Sequence, residues 1–514
     1  MKQLFILSLA FLAITGCRKI EMDGEKEIFV VTKEVAPVGV VSNTITLSGK
    51  ITKDTTLFAK DVNYLAGIVY ITKGVTLTIQ EGAKVLGKSS GADVAALVIC
   101  RGAKIIARGT ADKPIVFTSA SLNPQSGDWG GVVLLGIAKV NTTLTWKGAA
   151  VTGLTSVEGG INDAEVGFGL AGSGDAAFPT GNDDDNSGIL QYVRIEYAGY
   201  AYQPDNELNS LTMAGVGRGT TISHVQVTYA KDDAFEWFGG TVNCKYLIAY
   251  KTQDDDFDTD NGYNGNVQFG IILRDSVIAD ISTSEAFESD NNSGGTVASP
   301  QTTAVFSNIT AIGPRIDPVF GKGNSLYRAG AHIRRNTGIS IMNSIIAGWN
   351  RGIQFDASSG VPVDRNIVDS TIRIKNTTLA GNTVNIDYVR STGSSATYTD
   401  NASGIAGLTT WFSNPFYGNT ILNSASSDVL KLIQPFNYLN PDFTPFANAN
   451  TSTANIASTL GSLGIGLHLD YRSNGSFTDA KLQNAFFDKT ATFRGAVATS
   501  GVNQTWWKGW TVWK

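Results

Sequence analysis

The chain has 514 residues, 42% of them hydrophobic and 17% charged, with 56 glycines and a formal net charge of −5. A Gly-rich, Lys/Arg-poor, mildly acidic chain lacks the basic face that nucleic acid requires, which excludes nucleic acid as the expected partner. Beyond the first residues no apolar run reaches the roughly 20 residues a membrane-spanning helix needs.

The N-terminus carries Lys2, an apolar run from Leu4 to Ile14, and then Ile14-Thr15-Gly16-Cys17, the order of a lipoprotein signal peptide. Residues 1–17 are therefore expected to be a targeting segment, with Cys17 the lipidated first residue of the mature chain. An ordinary secretory signal with a chance cysteine is the alternative. Residues 18–44, with Glu21, Asp23, Glu25 and Glu27, read as a flexible tether.

From residue 45 the chain repeats. Leu77-Thr78-Ile79-Gln80-Glu81-Gly82-Ala83-Lys84-Val85-Leu86 recurs as Leu97-Val98-Ile99-Cys100-Arg101-Gly102-Ala103-Lys104-Ile105-Ile106, with Gly, Ala and Lys in identical places. A period of about 20 residues marks a solenoid. Each unit holds two short alternating runs broken by glycine, and only stacking at about 4.8 Å buries its inner face, in columns along an axis. A β-sandwich of short strands would not repeat residue type in columns, so residues 45–396 are expected to form a right-handed parallel β-helix, all-β. Gly82 and Gly102 mark corners that need a positive φ.

Residues 141–187, rich in Gly and Asp, break the period and read as an insertion. The repeat then returns: Asp232-Asp233-Ala234-Phe235-Glu236-Trp237-Phe238 is followed by Asp254-Asp255-Asp256-Phe257-Asp258-Thr259-Asp260 and, more weakly, by Ser284-Glu285-Ala286-Phe287-Glu288. Phe235, Phe257 and Phe287 should stack as one inner column. From residue 397 the period fades into a Ser/Thr/Asn/Gly-rich region, 397–514, ending in Trp506-Trp507-Lys508-Gly509-Trp510-Thr511-Val512-Trp513. That region is expected to cap the open solenoid end, since exposed strand edges and core are covered in natural proteins. The alternative for the tryptophans is a sugar-stacking platform.

The lipobox at Cys17, the Gly74–Ala83 rung, Asp185-Asn186-Ser187-Gly188, the Asp232–Gly240 block and the Trp-rich terminus together resemble a family of β-helix surface lipoproteins of Bacteroidota-type bacteria. The resemblance covers nearly the whole chain. It implies the β-helix fold and a lipid-anchored place in the outer membrane, at the cell surface, and it transfers no activity.

The acidic blocks are the dense cluster of functional groups. Strand alternation puts Asp256, Asp258 and Asp260 on one face, and the repeat sets Glu236 and Glu288 beside Asp258 on neighbouring rungs. Like charges so close must be protonated, solvated or neutralised by a cation. Calcium is the natural candidate cofactor, with Asp256, Asp258, Asp260, Glu236 and Glu288 as its ligands. Asp183-Asp184-Asp185 begins like an EF-hand loop but has Arg194 where the closing Glu belongs, which rejects an EF-hand.

The same region also resembles the aspartates of polygalacturonase-type glycoside hydrolases. That similarity makes Asp233, Asp254 and Asp255 the acid and the water-activating base of an inverting cleavage. The family's Gly-His-Gly is missing, and Arg373-Ile374-Lys375 matches its Arg-Ile-Lys several rungs too far along. A lyase would need a base such as Lys231, Lys245 or Arg274. His224, His332 and His468 have no partner at metal spacing and read as structural. Of the three cysteines, Cys100 and Cys244 remain as separate thiols or, less expectedly, a disulfide. Two functions stand: a non-enzymatic envelope module binding a polysaccharide or an envelope protein, or a carbohydrate-active enzyme using the acidic rungs.

Overall fold

A computed structural model describes residues 42–162, 167–203, 206–314, 324–389, 405–424, 430–445 and 475–514. The expected lipidation site, most of the tether and His468 lie outside them. Among the described residues no helix is long and apolar enough to cross a membrane.

The repeats close into a right-handed parallel β-helix with three sides. On the first, Thr55–Leu57, Thr76–Ile79 and Lys104–Arg108 lead to the opening halves of Gly188–Glu196, Thr221–Thr228, Asn243–Tyr250, Asn266–Leu273 and Val305–Ile312. The second side is made by the closing halves of those long strands, continued by Ile345–Ala347, Thr378–Ala380 and Thr420–Leu422. The third side runs through Ala96–Ile99, Gly131–Leu135, Leu211–Ala214, Phe235–Phe238, Phe257–Asp260, Phe287–Ser289, Tyr327–Arg334, Arg351–Asp356 and Val384–Val389. Every pairing in this assembly is parallel, and the inward residues form one continuous apolar core.

The expected phenylalanine column is present: Phe235, Phe257 and Phe287 are in register, with ring centroids 5.6 and 5.7 Å apart. Gly82 and Gly102 take φ of 75° and 77°. The corner between the first and second sides uses larger residues instead. Tyr192, His224, Tyr246, Phe269, Asn308, Asn343 and Asn376 all have positive φ there. A bulky side chain in that region is strained by on the order of 1–3 kcal/mol. Stacking offsets the strain, with Tyr192–His224, His224–Tyr246 and Tyr246–Phe269 centroids 4.2, 4.3 and 5.0 Å apart. His224 is thus a rung of an aromatic ladder, and burial pushes its pKa down to about 4.

Cys100 and Cys244 are separate buried thiols, each pushed up to about 12, chiefly by burial. The insertion forms antiparallel pairs, Thr143–Trp146 with Ala149–Thr152 and Leu154–Ser156 with Leu170–Gly172. It packs on the outward side chains of the third side, including Val98, Val133, Ala214 and Phe238.

At the far end of the solenoid the helix Ile405–Phe412 buries Leu408 and Phe412 in the main core. The Trp-rich terminus is elsewhere, which corrects its expected place over that end. Residues 475–514 run back along the aromatic corner, held by Ser476 N–H to Asn343 (2.8 Å), Asp488 N–H to Gln268 (2.7 Å) and Val512 N–H to Gln226 (2.8 Å). Trp506 and Trp510 meet the His224 ring edge-on, and Trp506, Trp507 and Trp510 are buried, so their faces are not a sugar platform. The physical reason is apolar surface: ladder rings projecting from a corner need a cover as much as an open end does.

Candidate functional site

One outward column crosses the third side from end to end. Tyr70, Val98, Val133, Thr212, Glu236, Asp258, Glu288, His332, Gln354 and Asp387 occupy successive rungs in register. Where the insertion covers it the column is apolar. Past the insertion it is acidic, and beyond Glu288 it mixes cations with acids.

The Asp-Asp pairs enter from the turn preceding each strand. Asp233 accepts the Asp255 N–H at 2.8 Å, and Asp255 accepts the Glu285 N–H at 2.6 Å, so each carboxylate pins the next rung's backbone. Asp254 is more open and accepts from the Ser282 hydroxyl at 3.0 Å. Burial, reinforced by Asp280 and Glu285, pushes it up to about 8.

The five expected calcium ligands do not stay together. Asp256 turns into the core and pairs with Arg274 at 2.7 Å, both fully buried. Arg274 also donates to the carbonyls of Thr252, Asp254 and Glu285. Asp260 accepts the Asn261 N–H at 2.6 Å. Glu288 pairs with Arg334. Glu236 and Asp258 remain, joined by Asp233. Ligand atoms of Asp233, Glu236 and Asp258 lie within 4.8 Å of one another, as do those of Asp232, Asp233 and Asp254.

The cluster therefore has two halves of different electrostatics. On the far rungs Glu285 meets Arg328 Nε at 3.2 Å and His332 at 3.4 Å, and Asp290 meets Arg334 and Arg335 at 3.1 Å. His332 also contacts Asp356 at 3.2 Å. Burial opposes its charge, but the hydrogen bonds it donates to Asp356 and Glu285 outweigh it and raise its pKa. On the near rungs Asp232, Asp233 and Glu236 are pushed well above the usual range by burial first and then by other carboxylates. Asp258 is pushed up to about 7, by burial and then Asp260. The Asp258 Oδ1 and the Thr212 hydroxyl are buried without a hydrogen-bond partner.

A family model described as a pectate-lyase-like β-helix domain matches residues 49–414. The chain belongs to the pectate-lyase-like β-helix family. No curated protein matches it. A solved structure, described as the crystal structure of alginate lyase from Paenibacillus sp. str. FPU-7, is 12% identical with a TM-score of 0.15, covering 62% of this chain and 92% of that one. A likeness that weak indicates neither activity nor substrate.

Within this pectate-lyase-like scaffold the other expected groups scatter. Arg373 and Lys375 sit on the first side, bound to Asp479 at 3.9 and 3.2 Å, so they cannot serve the acidic rungs. Of the candidate bases, Lys245 lies over the Phe486 ring, Arg274 is consumed by Asp256, and Lys231 faces Glu207 at 3.8 Å. Asp183 pairs with Lys139 (2.9 Å) and Asp184 with Arg218 (3.1 Å), while Asp185 accepts the Ile137 N–H. Sequence reasoning passed over Asp232, Glu285 and His332 as members of the cluster. Glu285 had a signal, because it follows the Asp233 and Asp255 positions of the repeat.

Proposed function

We propose that the protein is a lipid-anchored envelope module of the outer membrane that binds a polysaccharide along the third side, with a hard divalent cation, calcium by preference, on the near acidic rungs. One observation carries this reading: Asp232, Asp233, Glu236, Asp254 and Asp258 converge with no basic side chain paired to any of them among the described residues, while the neighbouring rungs pair their acids with Arg328, Arg334, Arg335 and His332. Carboxyl oxygens within 4.8 Å match opposite ligands of calcium, whose bonds to oxygen are about 2.4 Å. The donor set is all oxygen, which suits calcium or magnesium over zinc or copper.

The enzymatic reading retains one supporting observation. A carboxyl held at about 8, as Asp254 is, keeps its proton at neutral pH as a general acid must. Against it, burial and neighbouring carboxylates push Asp233 and Asp255 well above the usual range, which disfavours the ionised form that a water-activating base needs.

The test is incubation of the purified protein with polyuronates and neutral glycans, in calcium and in chelator, recording binding and product together. Calcium-dependent binding without product supports the module. Product lost on Asp254→Asn makes the protein an enzyme.

A further inference from the structure

Two files of oxygen donors run side by side over the near rungs. The strand file is Thr212, Glu236 and Asp258, one rung apart. The other lies in the turn before each strand. Leu211 is in register with Phe235 and Phe235 with Phe257, so the residues two places earlier follow as Asn209, Asp233 and Asp255. The second and third rungs carry carboxylates in both files. The first, which begins at Leu208 under the insertion, carries an amide and a hydroxyl instead.

That first rung reaches the acids yet leaves its oxygens unused. Asn209 is 1% exposed, and its amide nitrogen donates to Glu236, whose ligand atom lies within 4.8 Å of those of Asp233 and Asp258. The contact places the whole planar amide at the carboxylates, but its Oδ1 has no hydrogen-bond partner. The later members of this file differ: Asp233 accepts the Asp255 N–H and Asp255 the Glu285 N–H. By that pattern Asn209 Oδ1 would accept the Asp233 N–H, and it does not.

Thr212 is fully buried and alternates with the inward Leu211 and Met213, so it faces outward between Val133 and Glu236, and its hydroxyl also has no partner. Asp258 Oδ1 has none either. Buried polar atoms are rarely left unmatched, and three on adjoining rungs mark a place that takes a ligand. Oxygens that converge as acceptors are satisfied together by a cation.

We infer that Asn209, through its amide oxygen, and Thr212, through its hydroxyl, are neutral ligands of the cation, seating it on Asp233, Glu236 and Asp258 rather than on the neighbouring group of Asp232, Asp233 and Asp254. This deepens the cation reading above and rests on it. On binding, the Asn209 amide turns about its Cβ–Cγ bond, so the residue is a donor to Glu236 without the ion and a ligand with it. The seat favours calcium over magnesium. Magnesium demands a near-ideal octahedron with bonds of about 2.0–2.1 Å, and donors on rungs held about 4.8 Å apart by backbone hydrogen bonds do not contract to it.

The experiment is calorimetric titration of chelator-treated full-length protein with calcium and with magnesium, as wild type, Asn209→Leu, Asn209→Asp and Thr212→Val. Asn209→Leu is expected to weaken calcium binding about tenfold and Thr212→Val about threefold, a factor of ten being about 1.4 kcal/mol. Asn209→Asp keeps an oxygen there without the N–H donor and should bind calcium at least as tightly as wild type. An amide that served only as a donor to Glu236 would be lost equally in both Asn209 variants. A second measurement needs no variant: wild-type crystals soaked in terbium, a calcium substitute, should give an anomalous peak within about 2.6 Å of the Asn209 side-chain oxygen. A peak on Asp232 and Asp254 instead, or wild-type affinity in both Asn209→Leu and Thr212→Val, would overturn the ligand assignment and leave the cation reading standing. No calcium binding by the wild type would overturn both.

Discussion

The guanidinium of Arg274 lies fully buried with its Nε 2.7 Å from an equally buried oxygen of Asp256. It ties the acidic rungs together from below, because the same group donates to the Thr252 and Glu285 carbonyls, each at 2.6 Å. Arg274→Met strands a buried carboxylate and removes those donors. The expected loss is about 3–5 kcal/mol, as for other broken buried pairs. Chemical denaturation of the variant measures it; a change within about 1 kcal/mol, the range of exposed pairs, would deny the pair its structural weight.

His332 gives the fold a pH dependence of known sign. Its folded pKa is raised by Asp356 and Glu285 above an unfolded value of about 6.5. The stability it contributes is fully present below about pH 6.5 and is lost as pH rises through the folded value. Wild type should therefore lose thermal stability on the alkaline side of neutrality more steeply than His332→Gln. Parallel melting curves for the two proteins across that window would refute this.

Asp258 should behave in the opposite sense to an ordinary paired carboxylate. Burial and Asp260 hold it at about 7 when folded, against about 3.9 unfolded. Ionising it costs the native state stability, a cost absent below about pH 4 and complete above the folded value. In chelator at about pH 8, Asp258→Asn is expected to be more stable than wild type by on the order of 1–2 kcal/mol. In calcium the ranking should reverse. A variant less stable in both media would show that the carboxylate is not an uncompensated charge.

Trp510 anchors the strap on the aromatic corner. It is buried, edge-on to Tyr192 and His224 at 5.8 and 5.9 Å, and its Nε1 donates to the Trp506 carbonyl at 2.7 Å. Trp510→Ala should cost about 3–5 kcal/mol locally. Limited proteolysis is the readout: cleavage within 475–514 should quicken while the solenoid rungs stay resistant. Uniform cleavage of both would mean that the strap and solenoid unfold as one unit.

The solenoid was legible because its stabilising contact is periodic. Phe235, Phe257 and Phe287 must stack if the chain coils at a constant length per turn, so repetition in the sequence becomes proximity in space. The same logic placed Glu236 and Glu288 beside Asp258. It could not tell which carboxylates would be neutralised, because Arg274, Arg334 and His332 reach their partners from neighbouring turns whose lengths differ. Asp256 and Asp258 are two residues apart and look alike in the sequence, yet one faces a guanidinium in the core and the other faces acids outside.

The amino-acid sequence by itself determined the parallel β-helix, its register and the crowding of acids on one side, since these follow from local alternation and a fixed period. The tertiary structure alone decided that residues 475–514 lie along a flank and that the insertion packs on the outward side chains of the third side. Both depend on how aperiodic segments cover apolar surface left by the coil, and no repeat specifies where an aperiodic segment will land.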